Sequence, residues 1–240
     1  MLTLAIIVTL VIVFLYIWRL TVIRFKFNFN EKDMFMFFGL PGSGKTTVCA
    51  DMVRQINKKK SLSRCIAYCN FPVKGAAKLS RSDIGQIDFR SDGKDRPVLL
   101  LDEASTVYFK RNAMNKVKDK TGKLVNEFSD AENQFHSMHR HYHTMEIFFA
   151  QSWDGVDLRL RELSTGLFYV ERSRLPYLIK IREISKIFTI RDDDHQPCDG
   201  YEFSRFSKRY VFAPICWKLF DTYHAPDLPV QIPQYWYDEK

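Results

Sequence analysis

Charge is absent from the beginning of this 240-residue chain: no Asp, Glu, Lys or Arg occurs from Leu2 to Trp18. No basic residue precedes that run and no small-residue cleavage site follows it, which argues against a cleaved secretory signal. Cysteine is sparse and scattered, at Cys49, Cys65, Cys69, Cys198 and Cys216. An odd count, with no second pair at zinc-ribbon spacing beside Cys65 and Cys69, excludes a metal ribbon and argues against a disulfide framework. Reduced thiols in a cytosolic domain are expected. There is no internal repeat and no second hydrophobic span.

What is present at the start is a candidate anchor. The apolar run resumes at Leu20–Ile23 after Arg19, and a helix over Leu2–Ile23 would be roughly 33 Å long, against about 30 Å of bilayer hydrocarbon. Tyr16 and Trp18 read as interfacial aromatics, and Arg19 can snorkel. Arg19, Arg24, Lys26 and Lys32 all lie at or beyond the C-terminal end of the run. The positive-inside rule therefore predicts a single-pass anchor over residues 1–23, with the N-terminus outside and the chain from about residue 24 in the cytoplasm. The formal charge of +8 favours an anionic partner: nucleic acid, nucleotide or the inner face of a membrane.

Gly39–Thr46 fits G-x-x-x-x-G-K-[ST], in the segment MFFGLPGSGKTT at Met36–Thr47. The glycines let backbone N–H groups curl around phosphate oxygens, and a following helix aims its positive end at them. Asp33–Phe38 reads as the buried strand before the loop, and Thr47–Asn57 as the helix after it. Gly39, Pro41, Gly42, Ser43, Gly44, Lys45, Thr46 and Thr47 are the candidate nucleotide-binding residues. Lys45 would reach the β- and γ-phosphates, and the Thr46 hydroxyl would hold Mg²⁺.

Further along, Val22–Asn30 alternates through Phe25, Phe27 and Phe29 and suggests a strand or an interfacial linker, assigned to residues 24–32. The nucleotide domain is expected over residues 33–191, and a partly ordered tail over 192–240. Strands are expected at Cys65–Asn70, Val98–Leu101, Glu146–Ala150, Gly166–Arg172 and Leu178–Ile190, with a helix at Ala131–His141. Tyr108–Phe128 reads as a surface excursion. Alternating strands and helices predict an α/β fold, a mainly parallel sheet with helices on both faces.

Val98–Ser105, VLLLDEAS, ends an apolar strand on two acids. A buried parallel strand delivers such acids to the sheet edge where the phosphate loop opens. Asp102 is placed to bind Mg²⁺, and Glu103 to polarise the attacking water as general base. Glu146–Ser152, EIFFAQS, repeats the pattern, so that Gln151 could sense the γ-phosphate or orient the water. In Asp154–Glu162, Arg159 and Arg161 are candidates for a finger reaching a neighbouring subunit, with Arg161 assigned. The guanine-specifying N-K-x-D is missing, since Asn115-Lys116-Val117-Lys118 fails at the acid, and ATP is the expected nucleotide. His136, His139, His141 and His143 are read as polar or interface packing rather than a zinc site. The basic stretches Lys58–Lys60 and Lys110–Lys123 are read as solvated loops.

With these motifs in place, the chain resembles the zonula occludens toxin-like family, which includes the membrane ATPases that assemble and extrude filamentous phages. The most specific part is MHRHYHTMEIFFAQSWDGVDLRLRE, Met138–Glu162, and WKLFDTY at Trp217–Tyr223 is similar to the end of that family's cytoplasmic domain. The resemblance implies a RecA/FtsK-like P-loop fold and an ATP hydrolase using Mg²⁺. By it, Lys45 and Thr46 bind nucleotide and metal, Asp102 and Glu103 form the acidic pair, and Gln151 is the sensor. It also implies a homo-oligomeric ring of about six subunits in the bacterial inner membrane, with phage single-stranded DNA, coat proteins and membrane lipid as partners. Family members usually carry the span after the ATPase; here it comes first, so neither a periplasmic docking role nor toxin activity is carried over. A nucleotide-gated membrane scaffold and a plasmid or chromosomal DNA translocase stay open as alternatives.

Overall fold

The computed structural model describes residues 2–21, 23–29, 33–58, 65–89, 96–108, 116–118, 124–126, 130–191 and 197–220. In chain order the elements are α1 (Leu2–Thr21), β1 (Met34–Phe38), α2 (Lys45–Lys58), β2 (Cys65–Cys69), β3 (Ala77–Lys78), β4 (Arg96–Leu101) and α3 (Ala104–Val107). There follow β5 (Lys116–Lys118), β6 (Leu124–Asn126), α4 (Asp130–Met138), β7 (Met145–Ala150), α5 (Leu158–Leu163), β8 (Gly166–Arg172), β9 (Leu178–Arg191), β10 (Pro197–Phe203) and β11 (Arg209–Phe212).

The main sheet runs β10-β9-β8-β1-β7-β4-β2-β3, with β11 on β9. From β8 to β3 every pairing is parallel, and the β8–β9, β9–β10 and β9–β11 pairings are antiparallel. This is the expected mainly parallel α/β sheet. Residues 197–212, read from sequence as tail, add two strands to its edge.

Strands β1 (MFMFF) and β7 (MEIFFA) are buried at every position because both faces of the sheet are covered. Side chains alternate along β1. Phe35 and Phe37 enter one core with Val48, Cys49, Met52, Val53 and Ile56 of α2, while Met34, Met36 and Phe38 enter the other with Phe135 of α4 and Leu160 of α5. Phe37 stacks between Phe149 and Phe168, with ring centroids 5.1 and 4.7 Å away.

Phe25, Phe27 and Phe29 are buried in the α2-side core. The Gln55 side chain of α2 donates to the Phe25 carbonyl (3.2 Å) and accepts from the Phe27 amide (3.1 Å). Among its described residues, 23–29, this stretch makes an isolated bridge, Arg24 to Tyr210, and no regular strand. Among the described residues no helix is long and apolar enough to cross a membrane. Within α1, side chains are described for residues 3–18; all are exposed except Tyr16, which is half-buried.

α2 begins at Lys45, two residues before its expected start, and α4 ends at Met138, three before its expected end. Tyr108, assigned to a surface excursion, is buried beneath the sheet's second face. Of the rest of that excursion only the β5–β6 hairpin is described. Lys59, Lys60, most of 110–123 and the chain after Phe220 lie outside the described residues. Cys49, Cys65, Cys69 and Cys216 are free and buried. Burial pushes the Cys49 thiol well above its usual range and Cys216 up to about 12, so these are packing groups rather than reactive thiols.

Candidate active site

Register brings the polar ends of four strands to one edge. Phe38 pairs with Ala150, Leu101 with Phe148, and Cys69 with Leu100. The next residues along, Gly39, Gln151, Asp102 and Asn70, therefore leave the sheet side by side.

The loop from Gly39 to Gly44 connects β1 to α2. At Gly44 φ is +100°, and a Cβ would lie 2.5 Å from Ile179 Cδ1; at Gly39 a Cβ would collide with the Val170 carbonyl oxygen. Glycine is required at both, once by conformation and once by closeness. Pro41 and Gly42 are exposed, Thr46 and Thr47 are half-buried in the first turn of α2, and Ser43 and Lys45 are buried. Among the described residues the Ser43 hydroxyl oxygen has no hydrogen-bond partner. The Lys45 ammonium donates to the carbonyls of Gly39 (2.7 Å) and Leu40 (3.2 Å). Burial lowers its pKa, opposed by the charges of Glu103 and Asp102. A buried cation, an orphaned hydroxyl and a glycine cradle at the positive end of a 14-residue helix fit a bound polyphosphate.

Asp102 is buried, and its Oδ2 accepts from the Thr46 hydroxyl at 2.7 Å, across 56 residues of sequence. Its pKa is raised by burial, against the stabilising hydrogen bonds from Thr46 and the Glu103 amide. The Asn70 side chain clasps its backbone, donating to the Asp102 carbonyl and accepting from the Asp102 amide, both at 2.8 Å. Thr46 and Asp102 thus present two hard oxygen atoms at one point, the donor chemistry a Mg²⁺ ion takes. Glu103 is exposed, in a left-handed backbone conformation (φ 52°), and its Oε2 accepts from Gln151 Nε2 at 3.2 Å. A carboxylate open to solvent and oriented by an amide is suited to take a proton from water.

Arg161 is held elsewhere. Its guanidinium donates to Asp154 (3.1 Å) and lies over the Trp153 ring, 5.3 Å from the centroid. Arg159 donates to Asn133 at 2.9 Å. Within one chain neither joins the cluster formed by Lys45, Thr46, Asp102, Glu103 and Gln151. Two of the four histidines pack as polar groups: His136 Nδ1 is 2.6 Å from Glu146 Oε2, and His139 Nδ1 is 2.7 Å from the His136 carbonyl, while His141 and His143 are exposed. Among the described residues no three His, Cys, Asp or Glu side chains are grouped so as to hold a metal ion.

Sequence reasoning missed two site residues. Asn70 carries the same signature as Gln151, a polar residue closing an apolar strand, and could have been found by it. Arg172, at the end of β8, donates from Nε to the Gly42 carbonyl at 2.7 Å and so braces the glycine loop from outside; no motif marks it.

No family model and no curated protein matches the chain. Solved structures similar to it include the N-terminal domain of zonular occludens toxin from Neisseria meningitidis, at 16% identity and a TM-score of 0.49, covering 79% of this chain and 98% of that one. They also include the genome packaging NTPase B204 of Sulfolobus turreted icosahedral virus 2 in complex with AMPPCP (12% identity, TM-score 0.41, 70% and 97% covered). The cytoplasmic domain of the type VII secretion ATPase EccC from Thermomonospora curvata is a third (9% identity, TM-score 0.41, 75% and 25% covered). The chain's own strand order, with the glycine loop after β1 and the acidic pair after β4, fits a P-loop NTPase.

Proposed function

We propose that this chain is an ATPase anchored in the bacterial inner membrane by its N-terminal helix, and that it drives filamentous-phage assembly and export of the phage's single-stranded DNA. The observation that carries the catalytic part is the contact between Thr46 and Asp102 beside the Glu103–Gln151 pair. In this reading Lys45 and the loop amides bind the ATP phosphates, and the Ser43 hydroxyl gains a partner there. Thr46 and Asp102 would hold Mg²⁺, which when bound neutralises charge on the β- and γ-phosphate oxygens. Glu103 accepts the proton of the attacking water, and Gln151 fixes the carboxylate's direction.

No described helix meets the length and apolarity of a membrane span, so the anchor reading rests on the whole apolar run Leu2–Ile23, with the exposed apolar side chains of residues 3–18 and Arg24 and Lys26 just beyond it in support. The N-terminus would be outside and the nucleotide site in the cytoplasm, where ATP is. The phage role rests on the sequence resemblance over Met138–Glu162. A ring of about six subunits would let Arg161 leave Asp154 and reach a neighbour's site.

ATP turnover of the purified chain tests the site assignment. Lys45→Ala is expected to lose at least about a hundredfold in turnover, the scale of removing one charge-stabilising donor. Unchanged turnover would refute it.

A further inference from the structure

Beside the acidic pair lies a groove of about 990 Å³ that the catalytic cluster leaves unused. One wall is the stretch after β2, with Phe71, Lys74 and Lys78; the other is formed by Trp217, Lys218 and Phe220. The walls are fastened together: the Lys74 amide donates to the Leu219 carbonyl at 2.7 Å, and the Phe71 and Phe220 rings meet edge to face at 6.4 Å. Lys74, Lys78 and Lys218 are exposed, and among the described residues none pairs with a carboxylate and no acidic side chain lines the groove. Trp217 is 56% exposed, its indole oriented by Tyr177 at 5.8 Å.

We propose that this groove binds single-stranded DNA, the lysines taking phosphates and Trp217 stacking on an unpaired base. Charge complementarity selects a polyanion. The exposed indole selects a single strand, because a duplex turns its base faces inward, whereas every unpaired base offers a face to an aromatic ring. The site is also wired to the chemistry. Asn70 lines the groove and, through its two 2.8 Å bonds, holds the backbone of Asp102. A strand seated against the 70–78 stretch therefore acts on the residue that aligns Thr46, and DNA occupancy is coupled to ATP turnover. This rests on the DNA-export reading above and assigns that partner a place.

The test uses the full-length chain in detergent, with labelled oligothymidine followed by anisotropy over a salt series and ATP turnover measured with and without the oligonucleotide. The wild-type chain should bind and be stimulated. Replacing Lys74, Lys78 and Lys218 together by alanine should flatten the salt dependence of log affinity by about 0.7 per lysine. That variant should lose stimulation while keeping its basal turnover. Trp217→Ala should weaken binding about tenfold, and Trp217→Phe should recover most of it. If the wild-type chain binds and is stimulated but the variants match it, the groove assignment is overturned and the export reading stands. If the wild-type chain hydrolyses ATP but binds no oligothymidine even at low salt, both fall. If the lysine variant loses affinity for vesicles of anionic lipid while its oligothymidine binding is unchanged, the groove faces a membrane and the proposal is overturned.

Discussion

Glu103→Gln is expected to bind ATP as tightly as the parent chain while hydrolysing it about 10²–10⁴-fold more slowly, the range set by losing a positioned general base. The substitution keeps the side chain's shape and an acceptor oxygen for the 3.2 Å bond from Gln151. It leaves Lys45, Ser43, Thr46 and Asp102 untouched, so the groups that grip phosphate stay in place. Only the ability to take a proton is removed. Titration with a fluorescent ATP analogue, set beside steady-state phosphate release, separates the two effects. Equal losses in binding and turnover would mean that Glu103 supports the pocket rather than the chemistry. Gln151→Ala is the companion: with Glu103 intact but no longer oriented, turnover should fall by less than in Glu103→Gln.

The largest stability effect should come from a pair with no part in the chemistry. Glu146, at 0% exposure in the central strand β7, receives His136 Nδ1 at 2.6 Å, and its other oxygen has no hydrogen-bond partner among the described residues. His136→Ala removes the one hydrogen-bonding partner that the described residues give this fully buried carboxyl group. Breaking a buried pair from one side costs about 3–5 kcal/mol, because the remaining group has neither water nor partner. At about 2–4 °C per kcal/mol for a chain of this size, the melting temperature should drop by roughly 10 °C. Replacing both residues together, His136→Leu with Glu146→Met, should recover much of that loss, since a well-packed apolar pair carries no desolvation cost. Thermal unfolding of the three variants decides it. A single variant as stable as the parent would show that the carboxyl group is solvated in solution.

The elements around the candidate site were legible where they are written locally. Glycines at fixed offsets before Lys45 and Thr46 specify a loop whose geometry depends on its own few residues, and the structure has that loop between β1 and α2. Apolar runs ending in Asp102-Glu103 and in Gln151 announce strands that stop at a polar edge. The alternation of Phe25, Phe27 and Phe29 was visible too. Its destination was not, because those rings find their partners on α2, with Gln55 satisfying the backbone between them. Arg161 shows the same limit: its segment was recognised, but the guanidinium closes on Asp154 and Trp153 of its own chain.

Residue type and short spacing were thus enough for the glycine loop, the acids and amide near it, the parallel α/β class and a mostly apolar first helix. That β2 lies against β4, and β8 against β1, emerges from the folded sheet alone. Those two adjacencies place Asn70 on Asp102 and Arg172 on Gly42. The order of strands in a sheet is set by which apolar faces bury each other across many tens of residues, and no local pattern records it.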